Sequence, residues 1–227
     1  MDAGLIIDVD EKKRLVVGLD LPTVKEAERI VSILSDTVSF YKIGYHLSFS
    51  GGLELARDLI SDGKSVFLDM KLFDIGSSVT AAIEHIANMG VAMLTVHAYP
   101  QTMRSAVSVV RDTGICLLAV TVLTSMDDFD LRESGYEKDI SDMVRMRAVQ
   151  ARDIGMGGIV CSPQEVRMVR EIVGHNMVIV TPGIRMLGSA TDGQKRFATP
   201  VVSRPIVRAA DPVSAAQEFQ RAISLIS

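Results

Sequence analysis

Short apolar runs alternate along the chain with longer segments whose apolar residues fall at helical spacing. The first run, Leu15-Val16-Val17-Gly18-Leu19-Asp20, ends on a carboxylate. Thr23-Val24-Lys25-Glu26 then fits a capping box, and Ala27, Ile30, Val31 and Leu34 give an apolar face to the helix that follows. Further strand-like runs lie at 38–45, 65–71, 93–97, 116–121, 158–162 and 177–181. Helix-period segments lie at 53–60, 77–89, 101–111, 140–154 and 163–173. Val201-Val202-Ser203 ends the strand series, before a helix over 212–226 that opens on a proline.

The strand-like runs are apolar almost throughout rather than at every second position, which predicts a parallel sheet covered on both faces. About eight βα units in 227 residues predict an α/β fold, a single (β/α)8 TIM barrel forming one domain. Neither G-x-G-x-x-G nor G-x-x-x-x-G-K-[ST] occurs, which counts against an open dinucleotide- or phosphate-binding sheet.

One stretch breaks the pattern. A parallel crossover takes about a dozen residues or more, usually helical, yet 183–200 is polar and carries no apolar stripe. Thr199-Pro200 reads as a helix cap followed by a first helical residue, whereas Val201 already reads as strand. The expectation is that roughly ten or more residues are missing between Pro200 and Val201.

Composition narrows the functional classes. Hydrophobic residues make up 48% and charged residues 23%, an ordinary globular balance. A net charge of −4 gives no footprint for nucleic acid or an anionic membrane surface. Cys116 and Cys161 sit far apart in apolar runs, so neither a disulfide framework nor a zinc knuckle is expected. No apolar stretch approaches the roughly 20 residues of a membrane span, and the first 13 residues carry four acids rather than a signal pattern. A cytoplasmic protein is expected.

The active site of such a barrel lies at the C-terminal strand ends. These ends present Asp20, Lys42, Asp69, Lys71, His97, Thr124, Pro182 and Arg204, a high density of charge. In Phe67-Leu68-Asp69-Met70-Lys71-Leu72-Phe73-Asp74, Asp69 and Lys71 are two apart and share one side of a strand, with Leu68 and Met70 facing the other. A lone pair of this kind is read more readily as a strand-end salt bridge than as a proton-handling site. Asp74 and Lys42 nearby tip the balance, because gathering four charges is costly unless a site uses them.

These residues carry a specific resemblance. Asp69-x-Lys71-x-x-Asp74-Ile75, Tyr41-Lys42-Ile43-Gly44, Gly18-Leu19-Asp20, Thr181-Pro182-Gly183-Ile184-Arg185 and Ser203-Arg204-Pro205 together resemble the orotidine 5′-monophosphate decarboxylases, most closely their bacterial branch. The resemblance implies a homodimeric enzyme that needs neither metal nor cofactor and takes a nucleotide, orotidine 5′-monophosphate, as substrate. It implies that Lys71 donates a proton to C6 of the pyrimidine, that Asp69 faces the leaving carboxylate, and that Lys42 holds Asp69 and a ribose hydroxyl. Asp74 would reach the partner subunit's site and Asp20 would bind the ribose. Thr124, with Ser125 as the neighbouring possibility, would meet the pyrimidine edge. Gln194 and Arg204, beside Ser203, would hold the 5′-phosphate, with Pro182 and the 183–196 stretch forming a closing loop. The family loop usually reads Asp-Ile-Pro with a later threonine; here Gly76 replaces the proline and Ser78 stands for the threonine, keeping a hydroxyl for ribose contact in a less rigid loop.

Asp-x-Lys-x-x-Asp is shared with magnesium-dependent sugar-phosphate decarboxylases and aldolases of the same superfamily, whose loop often reads Asp-Ala-Gly. Gly76 favours that alternative, while Lys42, where those relatives carry a metal-binding acid, argues against it. A catalytically silent nucleotide-binding module is a third possibility, opposed by the intact Asp69 and Lys71. The four histidines, His46, His85, His97 and His175, show no metal-ligand spacing. His97 fits a pocket wall or a structural role, the scattered methionines read as core filler, and Asp127-Asp128-Phe129-Asp130 as a solvated loop.

Overall fold

The computed structural model describes residues 15–183 and 198–225. Strands and helices alternate as the hydrophobic pattern requires: β1 (Val16–Gly18), α1 (Val24–Leu34), β2 (Phe40–Gly44), α2 (Tyr45–Leu47), α3 (Leu53–Ser61), β3 (Ser65–Leu72), α4 (Gly76–Ala87), β4 (Met93–His97) and α5 (Pro100–Val107). There follow β5 (Cys116–Val120), α6 (Asp128–Glu133), α7 (Ile140–Ile154), β6 (Gly158–Val160), α8 (Val166–Val173), β7 (Val178–Pro182), β8 (Thr199–Val202), α9 (Arg204–Val207) and α10 (Pro212–Ser224). Each strand pairs in parallel with the next, and β8 pairs with β1, so the sheet closes into an eight-stranded barrel.

Closure separates two apolar layers. Inside the barrel lie Val16, Phe40, Phe67, Met93, Cys116, Leu118, Val120, Val160, Val180 and Val201. Alternate residues of the same strands, among them Val17, Tyr41, Ile43, Leu68, Leu94 and Ile159, point outward into a larger layer beneath the helices. This two-sided burial is why the strand sequences are apolar throughout. Each inner side chain contributes roughly 1.5–3 kcal/mol by leaving water.

Several boundaries differ from the sequence expectation for identifiable reasons. Asp127–Asp130 is not a plain loop. The Asp127 carboxylate accepts the Phe129 and Asp130 amides, and the Asp130 carboxylate accepts the Asp127 amide, a reciprocal cap that starts α6. The 163–173 segment divides, because Ser162 and Glu165 cap a single 3-10 turn before α8 begins. The 101–111 helix ends at Val107. Thr23 accepts the Glu26 amide as expected, but Glu26 meets the Thr23 hydroxyl (3.3 Å), so only half of a capping box forms.

Thr199-Pro200, read as a helix start, is strand: β8 runs unbroken through Pro200 and Val201, with Thr181 opposite Pro200 and Pro182 opposite Val201. Pairing with β1 begins only at Val201, opposite Val16, so the proline precedes that ladder, where a missing N–H is tolerated. Among the described residues no helix is long and apolar enough to cross a membrane.

Candidate active site

Above the apolar inner layer, the same inward positions change character. Moving up each strand by two residues takes Phe40 to Lys42, Phe67 to Asp69, and Met93 to Thr95 and then His97. In β1 the inward position above Val16 is Gly18, followed by Asp20 just past the strand. Four charges therefore meet at the barrel mouth. Lys42 Nζ lies 2.8 Å from Asp20 Oδ1 and 3.8 Å from Asp69 Oδ2, and Lys71 Nζ donates to Asp69 Oδ1 at 2.8 Å. The result is an alternating row, Asp20–Lys42–Asp69–Lys71. Its inner members are largely withdrawn from water, Lys42 at 12% and Asp69 at 17% exposed, whereas Asp20 is half exposed.

Asp69 and Lys71 meet as their spacing predicts, but not on a regular strand. The β3–β4 register shifts between Leu68 and Leu72, and Lys71 adopts φ 41°, a left-handed conformation that costs a residue with a side chain about 1–3 kcal/mol. The freed Lys71 amide donates to Thr95 Oγ1 (2.8 Å), and the same hydroxyl donates to Asp69 Oδ1 (3.0 Å). Thr95 thus fixes both catalytic candidates, and the sequence reading assigned it no role. The signal was present: it is a polar residue at an inward position of β4.

Two glycines border the row. A Cβ on Gly18 would lie 3.0 Å from Ser203 Cβ, 3.1 Å from Asp20 Oδ2 and 3.3 Å from Lys42 Cε. One on Gly44 would lie 3.4 Å from Lys42 Nζ. A side chain at Gly18 would crowd the Asp20–Lys42 pair, whereas a Cβ at Gly44 would only touch it.

The remaining expected residues are distributed around this centre. Pro182 ends β7, and Ser203 follows β8 with its Oγ buried and without a hydrogen-bond partner among the described residues. Arg204 opens α9 and is exposed. Thr124 is exposed, a few residues beyond the end of β5. Asp74 is not drawn into the row: it sits exposed between β3 and α4, where its carboxylate accepts the Ile75 amide at 2.6 Å. Ser78 is exposed in the first turn of α4. Gln194, Ile184 and Arg185 lie outside the described residues. Gly76, at the loop's departure from the family pattern, lets α4 approach α5, since a Cβ there would sit 2.8 Å from Ser105 Oγ.

His97 stands at the rim, edge-on to Phe73 with ring centres 5.9 Å apart. Burial, then the nearby Arg147 and Lys71 cations, hold its pKa below the usual histidine value, with Asp69 opposing. Burial pushes the Cys116 thiol up to about 12 and raises Cys161 further, so neither supplies a thiolate near neutrality.

The comparisons with known proteins fit this geometry. The family described as orotidine 5′-phosphate decarboxylase / HUMPS matches residues 13–219. The chain belongs to that family. A curated relative, the orotidine 5′-phosphate decarboxylase of Afipia carboxidovorans, is 50% identical over 225 residues, covering 94% of this chain and 96% of the relative. The crystal structure of orotidine 5′-phosphate decarboxylase from Lactobacillus acidophilus superposes with a TM-score of 0.83 at 33% identity, covering 92% of this chain and 98% of that one. An uncharacterized conserved protein from Geobacillus kaustophilus reaches 0.81 at 30% identity, covering 92% and 99%. The bacterial resemblance and the barrel read from the sequence are both borne out.

Two outcomes test this account of the family site. Thr95→Val, which keeps the shape but leaves the Lys71 amide and an Asp69 oxygen short of a partner, lowers unfolding free energy by about 1–3 kcal/mol in urea titrations; an unchanged midpoint refutes the role given to Thr95. Because the folded pKa of His97 is depressed, the unfolded chain takes up its proton first as pH falls below about 6.5. His97 therefore removes stability as the medium is acidified, and His97→Gln shows a shallower loss of thermal midpoint between pH 7 and 5 than the parent chain. Parallel profiles would contradict this.

Proposed function

We propose that this chain is the carboxy-lyase that converts orotidine 5′-monophosphate to uridine 5′-monophosphate in de novo pyrimidine synthesis, acting without metal or organic cofactor as a cytoplasmic homodimer. The observation that carries the reading is the Asp20–Lys42–Asp69–Lys71 row at the barrel mouth. The identity shared with the Afipia carboxidovorans relative supports it.

In the proposed reaction the bond between C6 and the carboxylate breaks, CO2 departs, and the electron pair stays on C6. The Lys71 ammonium stabilises that developing charge and then delivers its proton to C6; water later restores the ammonium. Asp69 faces the substrate carboxylate. Two carboxylates about 4 Å apart repel by roughly 4 kcal/mol at an effective dielectric of 20, so a substrate held there starts closer to the transition state. Binding energy from the 5′-phosphate opposes that repulsion, with Gln194, Ser203 and Arg204 as its ligands and Pro182 at the base of the closing loop. Lys42 and Asp20 take the ribose, Thr124 the pyrimidine edge, and Asp74 with Ser78 serve the neighbouring protomer's site.

The magnesium-dependent sugar-phosphate reading draws on Gly76. It is disfavoured by Lys42, whose ammonium already stands between the two carboxylates a divalent cation would need. Absorbance loss of orotidine 5′-monophosphate, followed with EDTA present, distinguishes the two. Turnover persists in the parent chain and falls at least about a thousandfold in Lys71→Ala, the scale of a lost electrostatic and proton-donating group. Abolition by EDTA, or a Lys71→Ala variant as fast as the parent, overturns the assignment.

We also propose that roughly ten or more residues, about one crossover helix, are missing between Pro200 and Val201, which this chain joins directly within β8. Supporting this, 183–200 is polar and carries no apolar stripe from which a crossover helix between β7 and β8 could form. Intact mass spectrometry of the protein from its natural source then gives a value above 24.6 kDa, with the added residues mapping to that junction; a mass of 24.6 kDa refutes the proposal.

A further inference from the structure

Arg147 is a buried cation that the reaction scheme leaves unexplained. It falls within the apolar stripe of α7, among Met143, Val144, Ala148 and Ala151, and is only 7% exposed. No carboxylate among the described residues forms an ion pair with it. Its Nη1 instead donates to the main-chain oxygen of Thr121, and its Nη2 to the Tyr136 hydroxyl at 3.4 Å. The guanidinium lies 4.9 Å from the centre of the Tyr99 ring and 5.6 Å from that of Tyr136, whose two hydroxyls are 2.5 Å apart.

Thr121 is the first residue past β5 and is held on every polar atom. Its amide and its hydroxyl both donate to the Val160 oxygen, at 3.3 and 3.1 Å, while Arg147 takes its carbonyl. The chain then runs Val122-Leu123-Thr124. A cavity of about 370 Å³ is lined by Val122, Leu123 and Met126 of this segment together with His97, Tyr136 and Arg147. Val122 and Met126 pack into the core on either side, while Leu123 and Thr124 between them are exposed and Leu123 borders the cavity. Thr121 is the hydrogen-bonded anchor that precedes these exposed residues.

We propose that Arg147 is a positioning residue for the base end of the substrate: by holding the Thr121 carbonyl it sets the height of the loop that carries Thr124. This rests on the decarboxylase reading and on Thr124 as the residue at the pyrimidine edge. The role calls for arginine, because two nitrogens of one rigid plane serve two acceptors while the plane lies over an aromatic ring; lysine has a single nitrogen and no plane. Withdrawing the side chain leaves a buried carbonyl unpaired, and the loop relaxes toward the cavity or solvent.

The test compares two ligands by calorimetry on the full chain. Uridine 5′-monophosphate carries base, ribose and phosphate; ribose 5-phosphate lacks only the base. Arg147→Met weakens uridine 5′-monophosphate binding about tenfold while ribose 5-phosphate changes less than about twofold. Arg147→Lys, which keeps the charge and guards against a misfolded methionine variant, shows the same selective loss in smaller degree. Thr124→Ala loses base affinity comparably, and Arg147→Met adds nothing further in that background. Equal weakening of both ligands would mark a general structural role and overturn the proposal, as would no change in either variant. Full additivity with Thr124→Ala would also overturn it. A parent chain that binds uridine 5′-monophosphate no better than ribose 5-phosphate would instead overturn the underlying decarboxylase reading, and the clamp with it.

Discussion

The carboxylate of Asp69, set between two ammonium groups, is the point on which the rest of the molecule converges. A carboxylate this withdrawn from water is stable only if its oxygens are met by donors. They are met by Lys71 and Thr95 on one oxygen and by Lys42, at a longer 3.8 Å, on the other. Those partners come from β3, β4 and β2, so the carboxylate is satisfied only when three neighbouring strands are in register. Asp20 then balances Lys42 from β1. Barrel closure and site assembly are thus one requirement, and the apolar inner layer below supplies the rigidity that holds four charges within a few ångströms.

Local irregularity is concentrated at the same place. Lys71 departs from strand geometry, and the Thr95 hydroxyl stands in where the regular β3–β4 register breaks. A regular strand would still place Asp69 and Lys71 on one side, but roughly 6.5–7 Å apart along the chain. In the bulged strand the Lys71 ammonium lies 2.8 Å from the Asp69 carboxylate. Strain at one residue is accompanied by a charge-assisted contact and a part-buried hydrogen bond, a combination that a packed barrel can enforce and an isolated strand cannot.

Much of this was legible in the sequence because period and chemistry pointed the same way. Continuous apolar runs gave the parallel sheet, and the inward alternation Phe40–Lys42 and Phe67–Asp69 placed charge at one end of it. Other features were hidden. Thr95 drew no role because a threonine in a β-branched strand is ordinary until its hydroxyl is seen between Asp69 and the Lys71 amide. Arg147 broke the apolar stripe of α7, a signal visible in the spacing, yet its acceptor is a main-chain carbonyl that no sequence pattern encodes. The acids at Asp127–Asp130 read as solvated because aspartate rarely takes the place usually held by glutamate in a reciprocal cap. Asp74 was grouped with the other charges by proximity in sequence, but the turn into α4 carries it away from them.

Under the proposed reaction, the charge row does more than supply one proton. Its four groups sum to zero, so the arriving substrate carboxylate brings the pocket to a net −1. When CO2 leaves neutral and Lys71 gives up its proton to C6, the pocket is again at −1. Net charge does not change across the chemical step; its position does, moving from beside Asp69 toward Lys71. A fixed dipole whose negative end faces the departing group and whose positive end faces C6 favours that displacement without reorganising. Lys42 is needed for the same reason. It holds Asp69 from the side away from Lys71, so that losing the Lys71 proton does not leave a buried carboxylate unpaired.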